Sequence, residues 1–155
     1  SDGETALHLA SARGHLNITR LLIEHSASVN LATKVGWTAL HLTSSIGHLE
    51  VAQLLLEHNT SVDLATNNGW TALHLASVWG YLNIVQLLLE HNTSVNLATK
   101  VGWTALHLAF SKGHLKVAWL LLEHNTCVNQ NGGRWPDSAP PHIVRGSLRG
   151  RSAAH

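Results

Sequence analysis

Apolar positions in this chain arrive in two bursts separated by a glycine, followed by a longer polar stretch. Ala39, Leu40 and Leu42 make one burst; Leu49, Val51, Ala52, Leu54, Leu55 and Leu56 make the next, with Gly47 between them. The first predicts a short helix with one inward face. Thr38 stands before it as an N-cap whose hydroxyl can accept from the free amides of the first turn. Gly47 ends it, since glycine takes the left-handed cap conformation without penalty. The second burst is apolar over more than one face, so its helix must be sandwiched between neighbours. Asn59, Asn92 and Asn125 close the second helices as the next-best left-handed caps, and Ser26 is a poorer one. From Val62 to Trp70 the pattern leaves an extended, hairpin-like loop.

The whole pattern recurs. Thr-Ala-Leu-His-Leu begins at Thr5, Thr38, Thr71 and Thr104, three steps of 33 residues, and Gly14, Gly47, Gly80 and Gly113 keep the same step. So do Glu24, Glu57, Glu90 and Glu123. Residues 36–68 and 69–101 are identical at 23 of 33 positions, which chance does not produce. Each predicted helix is roughly 8–10 residues, below the ~12–15 needed for marginal independent stability. A single unit cannot bury its apolar face, so stacking of units must supply the stability.

Thr-Ala-Leu-His-Leu-Ala, then Gly-His-Leu, then Leu-Leu-Leu-Glu-His and Val-Asn, resemble the ankyrin repeat over residues 3–130. The resemblance implies an all-α fold, an ankyrin-repeat solenoid of stacked helix-turn-helix units joined by hairpin loops. The units would be 1–35, 36–68, 69–101 and 102–130, with 131–155 either a degenerate fifth repeat or a disordered basic tail. Two departures stand out. The family's usual proline after the capping threonine is Ala6, Ala39, Ala72 and Ala105, which should loosen the first turn slightly. Its usual aspartate at the start of the hairpin is Thr33, Thr66 and Thr99, which predicts loss of a local cap and less rigid tips. The first copy begins partway through its hairpin, so Ser1 reads as a cut end. The fourth keeps Leu120, Leu121 and Leu122 with no polar outer face to close the stack.

Composition narrows the function classes. Apolar residues make up 45% of the 155, enough for a continuous core, and charged residues only 12%, about half the usual ~25%. So poorly charged a surface fits a piece of a larger protein, or one that keeps a partner bound. The net charge of +1 divides into −2 over residues 1–133 and +3 over 134–155. Neither value gives the dense basic face that nucleic-acid binding needs. A single cysteine, Cys127, leaves no internal disulfide and fits a reducing compartment, cytoplasmic or nuclear. The longest apolar run, Val117 to Leu122, is far too short to span a bilayer.

Thirteen histidines raise the question of a metal. They fall in columns: His8, His41, His74 and His107; His15, His48 and His114, interrupted by Tyr81; and His25, His58, His91 and His124. Zinc holds its ligand nitrogens at about 2.0–2.1 Å, whereas stacked repeats lie about 8–10 Å apart. One column therefore cannot chelate, and no metal or other cofactor is expected. The resemblance implies that the first column bonds nearby backbone; the third suits helix C-termini, where a partial positive charge complements the dipole. No nucleophile elbow, P-loop, dinucleotide glycine motif or Cys-x-x-Cys occurs. The carboxylates are few and spread over separate repeats, so the chain does not read as an enzyme. Asn17-Ile-Thr, Asn59-Thr-Ser and Asn92-Thr-Ser match the glycosylation triplet, but no signal segment accompanies them.

In the ankyrin family the hairpin feet and the ends of the first helices line a concave binding face. Carried over position by position, the resemblance places Lys34, Val35, Trp37, Ser45 and Ile46 there. The next repeat adds Asn67, Asn68, Trp70, Val78 and Trp79, and the one after it Lys100, Val101, Trp103, Ser111 and Lys112. Trp37, Trp70 and Trp103 are copies of one position and could equally pack on their own hairpins. Trp79 is different, because its counterparts are Arg13, Ile46 and Lys112. An exposed strip of aromatic and aliphatic side chains is the usual anchor of a protein interface. Trp119, also unique, belongs to the outer helices and is expected to cover the tail. The leading reading is thus a protein-interaction scaffold that binds another protein on this face, as a monomer or embedded in a longer array. The competing readings are a structural spacer and an accessory domain of a larger multidomain signalling protein.

Overall fold

A computed structural model describes residues 2–124. Within them lie eight helices: α1 Ala6–Ala12, α2 Leu16–Glu24, α3 Ala39–Ile46, α4 Leu49–Glu57, α5 Ala72–Trp79, α6 Leu82–Glu90, α7 Ala105–Lys112 and α8 Leu115–Glu123. The only strand-like feature among them is an isolated bridge between Ala98 and Thr104. Turns of two or three residues fold each odd helix back on the even one that follows. The odd helices stack on one another as an inner row and the even helices as an outer row.

Each inner helix begins with a reciprocal cap. The Thr71 hydroxyl accepts from the backbone amide of His74, and the Thr71 amide donates back to His74 Nδ1 at 3.0 Å. The same box recurs at Thr5, Thr38 and Thr104. Gly47, Gly80 and Gly113 end α3, α5 and α7 in the left-handed conformation. The first helix departs from the expected stop: α1 already ends at Ala12, and right-handed Arg13 caps it one residue before Gly14. Ser26, Asn59 and Asn92 take positive φ as expected; the cap expected of Asn125 lies outside the described residues.

The outer helices carry His25, His58, His91 and His124 at their C-caps. Each Nδ1–H donates to the carbonyl four residues earlier, at 2.8–3.0 Å. At Leu21, Leu87 and Leu120 the carbonyl also accepts from the histidine's own backbone amide, so the ring adds a second donor in the last turn. Leu40, Val51, Leu55, Leu73, Ile84, Val85, Leu88, Val117 and Leu121 are fully buried and form one continuous core across the stack. Ser11, Ser44 and Ser77 are also fully buried on the inner row, and their hydroxyls have no hydrogen-bond partner. Their small size lets neighbouring inner helices approach closely.

The hairpins correct one expectation. Thr33, Thr66 and Thr99 do not leave the tips uncapped: each Oγ1 accepts from the amide of Trp37, Trp70 or Trp103, at 3.1–3.2 Å. A hydroxyl oxygen takes the place a carboxylate would have held. Backbone bonds Thr33–Trp37, Thr66–Trp70 and Thr99–Trp103, all 2.8 Å, close the same loops. Successive tips are tied laterally by the amides of Asn67 and Lys100, which donate to the carbonyls of Val35 and Asn68. Leu115 and Trp119 on α8 are exposed; the tail that Trp119 was expected to cover lies outside the described residues, as do 131–155.

Candidate functional site

Two sets of side chains converge on the inner side of the stack. The hairpin feet bring Trp37, Thr66, Asn68 and Trp70; the inner helices and the turn after α7 bring Ser45, Leu75, Val78, Trp79, Lys112 and His114. Together they line an open groove of about 800 Å³. Leu75 stands one turn before both Val78 and Trp79 on α5, so it neighbours each of them on the groove side. Leu75 is buried and forms the floor, Val78 is half-buried, and the Trp79 ring is 61% exposed.

Trp37 and Trp70 each have two kinds of neighbour. Each ring packs beside the histidine of its own repeat, centroids 6.1 Å apart on His41 and His74, and also lines the groove. Trp103 differs. It is only 8% exposed, contacts His107 edge-on at 6.4 Å, and is not part of the groove lining. Lys34, Val35, Ile46, Asn67, Lys100 and Val101 are exposed around the groove without lining it, and Ser111 is half-buried. Thr66, Leu75 and His114 are lining residues that the sequence reading missed. Leu75 was legible, because it precedes Val78 and Trp79 at helical spacing. His114 was not, since its position follows from a contact between repeats: its Nε2–H donates to the carbonyl of Val78 at 3.1 Å.

The remaining histidines hold the groove's walls in place. Nε2–H of His8 donates to the Trp37 carbonyl (3.1 Å), and that of His41 to the Trp70 carbonyl (3.0 Å). His74 reaches the carbonyls of both Leu97 and Trp103, at 2.9 and 3.1 Å. The caps of α1, α3 and α5 are thereby each tied to the next hairpin, which carries the next tryptophan. The pattern fixes the tautomer, with Nδ1 accepting from threonine and Nε2 carrying the proton. Burial pushes His41 and His107 below the ordinary histidine range and His74 down to about 4, against the pull of its carbonyl partners. These rings are neutral at pH 7, as an accepting Nδ1 requires. His48 makes the reverse tie, donating to the carbonyl of Ala12 at 3.1 Å, while Tyr81 lays its ring against Gly47. Among the described residues no three His, Cys, Asp or Glu side chains converge as metal ligands would. No described helix is long and apolar enough to cross a membrane.

Asp63 is a further tie that sequence reasoning missed. Its carboxylate accepts from the Thr93 hydroxyl, the Ser94 amide and the Ser94 hydroxyl at 2.8–2.9 Å. Asn30, one repeat earlier, accepts from the Ser61 amide in the same way.

A search of the curated proteins gives no match to the chain. The family model described as ankyrin repeats (3 copies) matches over residues 1–66, 26–99 and 61–132. Repeats of this kind generally serve as protein-interaction modules, and their fold is typically non-catalytic. With that match, the 33-residue helix pairs and the threonine–histidine cap repeated in all four, the chain belongs to the ankyrin repeat family.

Proposed function

We propose that this chain is a recognition scaffold that docks a partner protein in the groove between the hairpin feet and the inner helices, centred on Trp70, Val78 and Trp79. The observation that carries the reading is Trp79. A tryptophan 61% exposed in a near-copied array, beside Val78 and opposite Trp70 in a groove of about 800 Å³, leaves most of its surface open. Exposed aromatics over an apolar floor with a polar rim have the anatomy of a docking site. The solenoid supplies a rigid frame, so little ordering is needed on binding. Truncating a central interface aromatic commonly costs about 2 kcal/mol or more, over tenfold in affinity.

Selection of a random displayed peptide library on the immobilised chain tests this directly. Enriched sequences should bind wild type at least about tenfold more tightly than Trp79→Ala, with the two proteins melting alike. Sequences that bind both equally would remove the groove from consideration. Failure to enrich any sequence would favour the spacer reading.

A further inference from the structure

We infer that the groove selects an acidic segment built around one large apolar side chain, which lies on Val78 and Trp79 while flanking carboxylates reach Lys112 and Lys100. This deepens the docking reading above and rests on it. Two independent features of the described residues lead there.

The first is charge placement. The hairpin tips from residue 33 onward and helices α3, α5 and α7 carry Lys34, Lys100 and Lys112 and no carboxylate. From residue 34 on, every described carboxylate lies elsewhere. Glu50 and Glu57 are on α4, Glu90 and Glu123 end α6 and α8, and Asp63 is consumed by Thr93 and Ser94. Asp2 and Glu4 belong to the first hairpin, beyond the groove's N-terminal edge. Lys34, Lys100 and Lys112 are exposed and form no ion pair among the described residues. Lys112 lines the groove itself. Lys100 is fastened beside it, since its amide donates to the carbonyl of groove-lining Asn68 at 3.0 Å.

The second is the balance of donors over acceptors. An indole offers only an N–H and an ammonium only N–H groups, so Trp37, Trp70, Trp79 and Lys112 present donors alone. The acceptors nearby are fewer or partly engaged: Thr66 Oγ1 takes the Trp70 amide, and the carbonyl of Val78 takes His114 Nε2–H. That leaves the Ser45 hydroxyl and the Asn68 side-chain amide, each a donor as well as an acceptor. A ligand rich in acceptors satisfies such a lining, whereas a basic segment would bring more donors and like charge. Carboxylates meet both demands, and the apolar floor of Leu75 and Val78 calls for a hydrophobic side chain between them.

The same library selection decides it, with composition now the readout. Enriched peptides should carry net negative charge around an aliphatic or aromatic residue and should be lost on Trp79→Ala. Lys112→Glu and Lys100→Glu should each weaken them about fivefold or more, and the loss should shrink at high salt. Lys116→Glu, on the outer helix α8, is the control for net charge and should leave binding unchanged. Neutral or basic winners that still depend on Trp79 would overturn this inference while the docking reading stands. Winners indifferent to Trp79 would sink the docking reading instead. Tighter binding of a single-stranded oligonucleotide than of the acidic peptides would also overturn it, because the lysines would then serve any polyanion.

Discussion

Replacing His74 with alanine cuts the stack at its best-connected internal bond. The ring is 1% exposed and holds four groups at once: the amide and hydroxyl of Thr71 on Nδ1, and the carbonyls of Leu97 and Trp103 on Nε2. Alanine leaves the Thr71 amide buried without its acceptor, a penalty of about 1–3 kcal/mol, and forfeits two inter-repeat bonds at about 1 kcal/mol each. A loss on the order of 3 kcal/mol follows, a large fraction of the ~5–15 kcal/mol typical of a domain. Glutamine should cost about half as much, because an amide at this helix position can still accept from the N-cap amide but cannot reach the next hairpin. Acid provides a second arm. The folded pKa of His74, about 4, lies below its ordinary value of 6.5, so the unfolded chain takes up the proton first. Stability is therefore complete above pH 6.5 and falls as pH drops toward 4, by on the order of 3 kcal/mol from this residue alone. His41 and His107, lowered by burial in the same direction, add to the fall. Urea unfolding followed by circular dichroism from pH 7.5 to 4.5 measures both arms. Stability constant between pH 7 and 5, or a pH slope no shallower in His74→Gln than in wild type, would refute the reasoning.

Three further outcomes are expected. Gly80 and Gly113 share φ +75°, but a Cβ on Gly80 would lie 2.5 Å from His114 Nδ1 while one on Gly113 meets nothing within 4 Å. Gly113→Ala should thus cost only the left-handed penalty of about 1–2 kcal/mol and Gly80→Ala clearly more, read from paired urea midpoints. Asp63→Ala should lower stability by about 1–3 kcal/mol through loss of its charge-assisted bonds to Thr93 and Ser94, with Asp63→Asn in between. Trp79→Ala should stay within about 0.5 kcal/mol of wild type in the same assay, as exposed substitutions do; a larger loss would make Trp79 part of the fold.

Much of this was written in local pattern. The capping threonines, the glycines between bursts and the two-faced second helices act within a few residues, so the eight helices could be read off the period. Trp79 stood out because a near-copied array makes any departure visible. What stayed hidden depends on the neighbouring repeat. Gly-Trp-Thr is the same string at Trp37, Trp70 and Trp103, and nothing in it tells which ring turns inward. The hairpin threonines were misjudged by residue type, when the tip needs only an oxygen within reach of one amide. Asp63 carried no signal in its own repeat, because its bonds to Thr93 and Ser94 run to the next one.

The histidine ties also set how the molecule bears load. Each joins the start of an inner helix to the next hairpin, beside the core packing of the same interface, so tension along the stack is borne by every interface in series. Pulled from its ends, such a chain fails one link at a time, since each repeat touches only its neighbours. Every rupture frees a 33-residue length, about 110 Å of extended backbone. The link with the doubly bonded His74 should be the last to give, and an optical trap would see the molecule lengthen in single-repeat steps from either side of it.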